Sequence, residues 1–302
     1  MKNIFWVFIG CSTLAFSQQD AQFTQYMFNH LSVNPAYAGT REVMDVSVIH
    51  RRQWSRIEGG PVNSSLVLQM PLGKKKAGFG VEMSSEKIGP KSIGSLKGSY
   101  SYRIKLGSGK LAFGLKLGMS NYQYDWGKIK YRDQNDPYAQ QTQESWMVFS
   151  ADYGMYYYTK SLYAGICITH LNQDNLYNVH DSLNEGTQVP HIFAPFGVGI
   201  QVNENFIINP SVMLKMAPAA PMSIDLNCNF LIDNKLWLGV GARSGNGISI
   251  LAMWNMNNKM RMGYSYDYGM NKIGVIGRGA HELVLGYGLG VYTTKTLTPR
   301  YL

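Results

Sequence analysis

Residues that could do chemistry are present in this chain, but not in working arrangements. His30, His50, His170, His180, His191 and His281 are dispersed along the 302 residues, and none has metal-ligand spacing. His180-Asp181 is suited to opportunistic cation contact and no more. Asp133-Gln134-Asn135-Asp136 is similar to the start of a calcium loop, yet the glycine and terminal glutamate of an EF-hand are missing, which favours a solvated loop. There is no G-x-S-x-G elbow, no H-E-x-x-H helix and no phosphate loop, and Gly286-Tyr287-Gly288-Leu289-Gly290 lies in a strand pattern rather than at a strand–helix turn. The expectation is a chain with no catalytic residue, no bound metal and no cofactor, and so not an enzyme.

The elements that would have to position such residues are strands. In Leu111–Ser120 every odd position is large and apolar and every even one small or polar, and Met222–Phe230 repeats the pattern without an error. Period two is the mark of a strand with two different faces, where a helix needs apolar positions three and four apart. Fourteen segments are expected, at 43–52, 62–71, 77–87, 91–106, 110–125, 145–159, 162–171, 191–203, 206–215, 222–232, 236–243, 247–256, 260–268 and 281–290. An even number of roughly ten-residue strands suits an all-β, antiparallel transmembrane β-barrel. The tight links, such as Gly107-Ser108-Gly109 and Asp233-Asn234-Lys235, follow even-numbered strands, and the long ones at 126–144, 171–190 and 269–280 follow odd-numbered strands. With the N-terminus in the periplasm, that parity puts short turns inside and long loops outside, as outer-membrane barrels have them. A soluble β-sandwich gives no reason for it.

Composition agrees. Hydrophobic residues make up 45 % and charged residues only 16 %, with 32 glycines and 20 tyrosines, as expected of a wall that is greasy outside and polar inside. Tyr122, Tyr124 and Trp126, Tyr156 to Tyr158, and Tyr264, Tyr266 and Tyr268 gather at strand ends, where rings favour the membrane interface. The net charge of +9 comes from scattered lysines and arginines, pointing to anionic headgroups or partners rather than nucleic acid.

Lys2, the apolar run Ile4–Ile9 and the small-residue site Ala15-Phe16-Ser17 before Gln18 read as a signal peptide cleaved between Ser17 and Gln18. The run is too short to span a bilayer, and a lipoprotein leader using Cys11 would need an unusually short apolar core. Of the other cysteines, Cys228 shares a face with Leu226 and Phe230, while Cys167 lies between Ile166 and Ile168, so two unbridged thiols on opposite faces are expected. Residues 18–42 do not alternate, yet Phe23, Tyr26, Met27, Phe28, Leu31, Val33 and Tyr37 are too many apolar groups for a free tail, and Asn34-Pro35 blocks a long helix. The domain reading is a signal peptide at 1–17, a plug in or under the periplasmic mouth at 18–42, the barrel at 43–290, and a tail at 291–302 with no appended periplasmic domain.

Within that plug, Gln25-Tyr26-Met27-Phe28-Asn29, followed by Asn34-Pro35-Ala36-Tyr37-Ala38-Gly39, closely resembles the N-terminal signature of the PorP/SprF family, outer-membrane proteins of the type IX secretion and gliding machinery of Bacteroidota. The resemblance continues through His50–Trp54, Gly60-Pro61, Lys75–Val81, Ile88-Gly89-Pro90 and His281-Glu282-Leu283. It implies an outer-membrane accessory whose partners are a secreted surface adhesin (the SprF-like role) or periplasmic ring proteins of the secretion system (the PorP-like role). The basic turn Lys74-Lys75-Lys76, periplasmic by parity, is a candidate docking point, although most such runs are simply solvated. The rival class is a channel for small apolar compounds, since barrel and plug would serve it equally and fold does not assign function. A hydrolase lacks its nucleophile motif.

Overall fold

Two-residue alternation joined by turns closes this chain into an antiparallel barrel. The computed structural model describes residues 22–41, 43–73, 76–129, 131, 143–174, 188–218, 220–257 and 259–289. Its strands are β1 (Met44–Gln53), β2 (Val62–Leu72), β3 (Ala77–Ile88), β4 (Lys91–Leu106), β5 (Gly109–Asp125), β6 (Gln143–Tyr158), β7 (Leu162–Thr169), β8 (His191–Val198), β9 (Ile200–Asn203), β10 (Phe206–Met216), β11 (Ser223–Ile232), β12 (Leu236–Arg243), β13 (Gly247–Asn255), β14 (Met260–Gly269) and β15 (Ala280–Leu289). Each pairs with the next except β8 and β9, which both pair with β10, and β15 returns to β1 from Met44↔Leu289 to Gln53↔Ala280. β8 and β9 are one stave interrupted at Gly199, whose N–H donates to Ser161 O at 2.7 Å. The wall therefore has fourteen staves, each within two residues of its expected span.

The connections separate by end. Tight turns follow β2, β4, β6, β9, β11 and β13; the opposite end carries the connections at 54–61, 126–142, 170–190, 217–222 and 270–279, with two tight ones at 89–90 and 244–246. The last long connection contains a short helix, α2 (Lys272–Gly277), capped by the Asn271 side chain, which accepts from Gly274 N at 2.6 Å. Wall height is uneven: β4, β5 and β6 run 16, 17 and 16 residues, against 8 for β7.

The faces separate as the alternation demands. Leu226 is 56 % exposed on the outer face while its neighbour Asn227 is 9 % exposed and faces the lumen. β5 presents Leu115, Leu117 and Met119 outward and Lys116 and Ser120 inward. Cys167 is buried on the lumen side and Cys228 lies on the outer side, and the two are not bridged. The aromatics divide differently from the interface belt expected of them. Tyr264 and Tyr268 face outward, but Tyr122 and Tyr124 share the inward parity of Ser120 and stack with Trp146, while Tyr156 and Tyr158 are buried in the lumen. The parity of neighbouring Lys116 and Ser120 decides this, because a ring at an even position of β5 must follow them to the polar face.

Candidate functional site

The lumen holds residues 22–41, and contacts with that segment define the site. It is built of short pieces: a 3₁₀ turn at Tyr26–Phe28, the single-turn helix α1 (His30–Val33) and a second 3₁₀ turn at Pro35–Tyr37. α1 ends at Asn34, which takes extended angles ahead of Pro35, as the residue before a proline is driven to do. Asn34 Oδ1 then accepts from Ala36 N at 2.9 Å, capping the next turn.

One end of the segment is held by charge. A carboxylate, Glu282 on β15, accepts the backbone N–H groups of Thr24 and Gln25, each at 2.7 Å. Thr24 Oγ1 donates to Asp267 Oδ2 at 2.6 Å on β14, and the buried Arg51 of β1 bridges Thr24, Glu282 and Asp267 at 2.7, 3.1 and 2.5 Å. On β10, β11 and β12, one stave away across β13, Lys215, Asp225 and Arg243 form a second cluster, with Lys215 Nζ on Gln22 Oε1 at 2.8 Å and Arg243 on Phe23 O at 3.3 Å. Arg51, Asp267, Arg243 and Glu282 all lie towards the long-connection ends of their strands.

Midway, Asn227 Nδ2 donates to Tyr26 OH at 2.7 Å, Phe28 meets Trp237 edge-on, and Lys116 Nζ donates to the carbonyls of Leu31 and Ser32 at 3.0 and 3.2 Å. His30 sits among the rings of Tyr37, Tyr156 and Tyr163, and neither ring nitrogen has a hydrogen-bond partner among the described residues. Burial, with the Arg41 charge adding to it, pushes the His30 pKa well below the ordinary histidine value, so the imidazole is neutral.

The other end is held by fit. Asn34 Nδ2 donates to Met155 O at 2.9 Å and Ile166 O at 3.2 Å, Ser101 to Ala38 O at 2.7 Å, and Arg103 to Gly39 O at 2.6 Å. The inward positions beneath it are glycines: a Cβ on Gly114 would collide with the Ala36 backbone, and one on Gly154 with the Asn34 side chain. Arg41 then reaches Asp45, which Arg261 grips in bidentate fashion at 2.6 and 2.8 Å. Residues 22–41 thus run nearly the height of the barrel, further than a seal at the short-turn mouth.

Beyond the segment, towards the long connections, lies a polar cavity of about 110 Å³ floored by Phe23 and Ser32 and walled by Glu82, Ser95, Ser120 and His170. No cluster among the described residues has the ligand set of a metal site.

A family model described as type IX secretion system membrane protein PorP/SprF matches residues 15–287. The chain belongs to that family. No curated relative matches it. Among solved structures, the CymD monoaromatic hydrocarbon channel is similar at a TM-score of 0.50 and 10 % identity, covering 88 % of this chain and 92 % of that one. A Pseudomonas aeruginosa FadL homologue gives 0.47 at 11 % identity, with 88 % and 94 % covered, and Acinetobacter baumannii Omp33 gives 0.45 at 8 %, with 81 % and 96 % covered. The chain is an outer-membrane β-barrel of the PorP/SprF family, and neither that family nor this fold is an enzyme class.

The residues singled out in the sequence fall unevenly on this PorP/SprF barrel. Gln25, Tyr26, Met27, Asn29, Asn34, Pro35, Ala36, Tyr37, Ala38 and Gly39 are all buried together in the lumen. Ser17, Gln18, Lys74 and Lys75 lie outside the described residues; Lys76 is exposed at the β2–β3 turn, away from the lumen. Reading the sequence did not single out the charged partners Arg51, Glu282, Asp267, Lys116 and Arg103. A signal was there, since Arg51 and Glu282 stand inside two stretches that carry the family resemblance, His50–Trp54 and His281-Glu282-Leu283, and these meet across the barrel closure as Arg51↔Glu282.

Proposed function

We propose that this barrel is an accessory of type IX secretion that offers surfaces to an exported protein and to periplasmic machinery and does not itself pass solutes. The observation that carries this reading is the lumen segment 22–41, hydrogen-bonded by inward side chains of β1, β4, β5, β11, β12, β14 and β15. A chain bonded on so many sides acts as a plug, and its charge clusters and glycine seat make it a fixed one. In this topology the short turns, with Lys76 at the β2–β3 turn, face the periplasm and a ring protein, while the long connections and the polar cavity face outward, where an adhesin comes to rest. Signal-peptide cleavage after Ser17 delivers the barrel to the envelope.

Deleting the gene should abolish surface display of one partner adhesin and leave unrelated surface exports intact, the SprF-like outcome. A general collapse of type IX export would favour the PorP-like role of linking translocon to ring. The rival reading, a channel for small apolar compounds, draws on a fold shared with a hydrocarbon channel, and fold alone does not assign a substrate. Adhesin display that persists while uptake of an apolar compound is lost would decide for the channel.

A further inference from the structure

The outer wall is apolar on almost every stave, and its basic residues gather in one place. On the strands, the outward positions occupied by Arg, Lys or His are His50 and Arg52 on β1, Lys87 on β3 and His281 on β15. They are contiguous. Cross-strand register makes one row of Lys87↔Val62↔Arg52↔His281↔Tyr266, spanning β3, β2, β1, β15 and β14. Neighbouring strands lie about 4.8 Å apart, so Lys87 and His281 bracket a patch on the order of 15 Å wide.

Each of these residues stands at or near the long-connection end of its strand; along the same outward faces the row Ser85↔Ser64↔His50↔Leu283 comes next, and the apolar row Met83↔Leu66↔Val48↔Leu285 follows it. The row therefore marks the edge of the hydrocarbon, where headgroups begin.

The patch is unneutralised. Arg52 and Lys87 are exposed and make no side-chain hydrogen bond or ion pair among the described residues. His281 is oriented by Tyr264 OH on its Nδ1 at 2.7 Å, and His50 by Ser64 Oγ on its Nδ1 at 2.9 Å, which turns both Nε2 atoms away from those partners. By contrast Asp125, the outward carboxylate at the top of β5, is paired with Lys128. An outward arginine and lysine with no counter-ion, flanked by oriented imidazoles and phenol rings at the membrane edge, present donors to an anion that arrives from the lipid side.

We propose that this patch on β15, β1 and β3 binds the phosphate of an outer-leaflet glycolipid, the diphosphorylated sugar headgroup of lipopolysaccharide. The lipid's acyl chains lie along the apolar face below, and Arg52 and Lys87 hold the phosphate from two sides. The assignment rests on the sidedness that puts the long connections outside, and not on the export role, because lipid retention and adhesin display are separate measurements.

The test is native mass spectrometry of the detergent-purified barrel with added diphosphoryl lipid A, its monophosphoryl form, or phosphatidylglycerol. Diphosphoryl lipid A should bind best, and the pair R52Q and K87Q should weaken it about thirtyfold. The charge-preserving R52K should stay within about threefold of the parent, and Lys235→Gln at the opposite end of the barrel should change nothing. Heat-modifiable migration confirms that each variant is folded. Equal binding by parent and R52Q/K87Q, or phosphatidylglycerol binding as well as diphosphoryl lipid A, would overturn the proposal.

Discussion

The two ends of the lumen segment are held by different physics. Around Thr24 and Gln25 the grip is electrostatic: one carboxylate accepts two backbone N–H groups, and a buried guanidinium neutralises it together with Asp267. Around Asn34 to Gly39 the grip is steric and dipolar, with backbone carbonyls and an amide meeting their partners over a floor of glycine. The first kind fails when a single charge is removed, because what remains is buried and unpaired. The second kind fails gradually, by one hydrogen bond or one misplaced methyl at a time.

Arg51→Ala should therefore have the largest effect. It strands Glu282 and Asp267 without their cation, and breaking a buried pair in this way costs about 3–5 kcal/mol. Thermal unfolding of the barrel in detergent measures it, and limited proteolysis should cut near residue 24 in the variant alone. A loss below about 1 kcal/mol would mean the charges here are solvated like surface pairs, and the contrast between the two ends would disappear.

At the other end, Gly154→Val puts a branched side chain where Asn34 now lies. The expected penalty is about 1–3 kcal/mol, the usual range for overpacking. Proteolysis should now open the chain near residues 34 to 39 while the Thr24 end stays protected. Cleavage at both ends together would show one cooperative unit instead of two grips.

How much of this could be read in the chain depends on sequence distance. The strands were legible because lipid and lumen lie on opposite faces of each one, so the requirement is written at every second residue, as in Leu115, Lys116 and Leu117. The motif Asn34-Pro35-Ala36-Tyr37-Ala38-Gly39 was legible as a unit. Its seat was not, since Gly114 and Gly154 look like ordinary small residues of an alternating strand until the register brings them beneath it. Arg51 and Glu282 are 231 positions apart and meet only through closure of the barrel. The inward turn of Tyr122 and Tyr124 was decidable from the parity of Lys116 and Ser120, but clustering near a strand end suggested an interface belt instead.

A smaller effect is expected from Asn34→Ala, which removes the bonds to Met155 O and Ile166 O and the cap on Ala36 N. Alanine leaves two wall carbonyls without that donor, yet a water can enter the space vacated by the amide. The loss should be about 1–2 kcal/mol, as for a lost cap or a buried hydrogen bond. Asn34→Asp, which keeps the cap acceptor but not the donor, should recover only part of it. Full recovery by aspartate would assign the whole effect to the cap and none to the wall.

The smallest quantity is the most discriminating one. If the two ends are held independently, the combined variant of Arg51→Ala and Asn34→Ala should lose the sum of the single losses to within about 0.5 kcal/mol, because Arg51 and Asn34 share no bonding partner. The intervening residues decide whether that holds. Lys116 anchors Leu31 and Ser32 and is itself paired with Glu82, and Arg41 ties Phe28 to Asp45, so strain released at Thr24 meets fixed points before it reaches Asn34. Additivity is the expected result of the thermal cycle. A combined loss that falls short of the sum by about 1 kcal/mol or more would mean that loosening one end already loosens the other, and the segment would then be a single latch that a partner binding at either mouth could release whole.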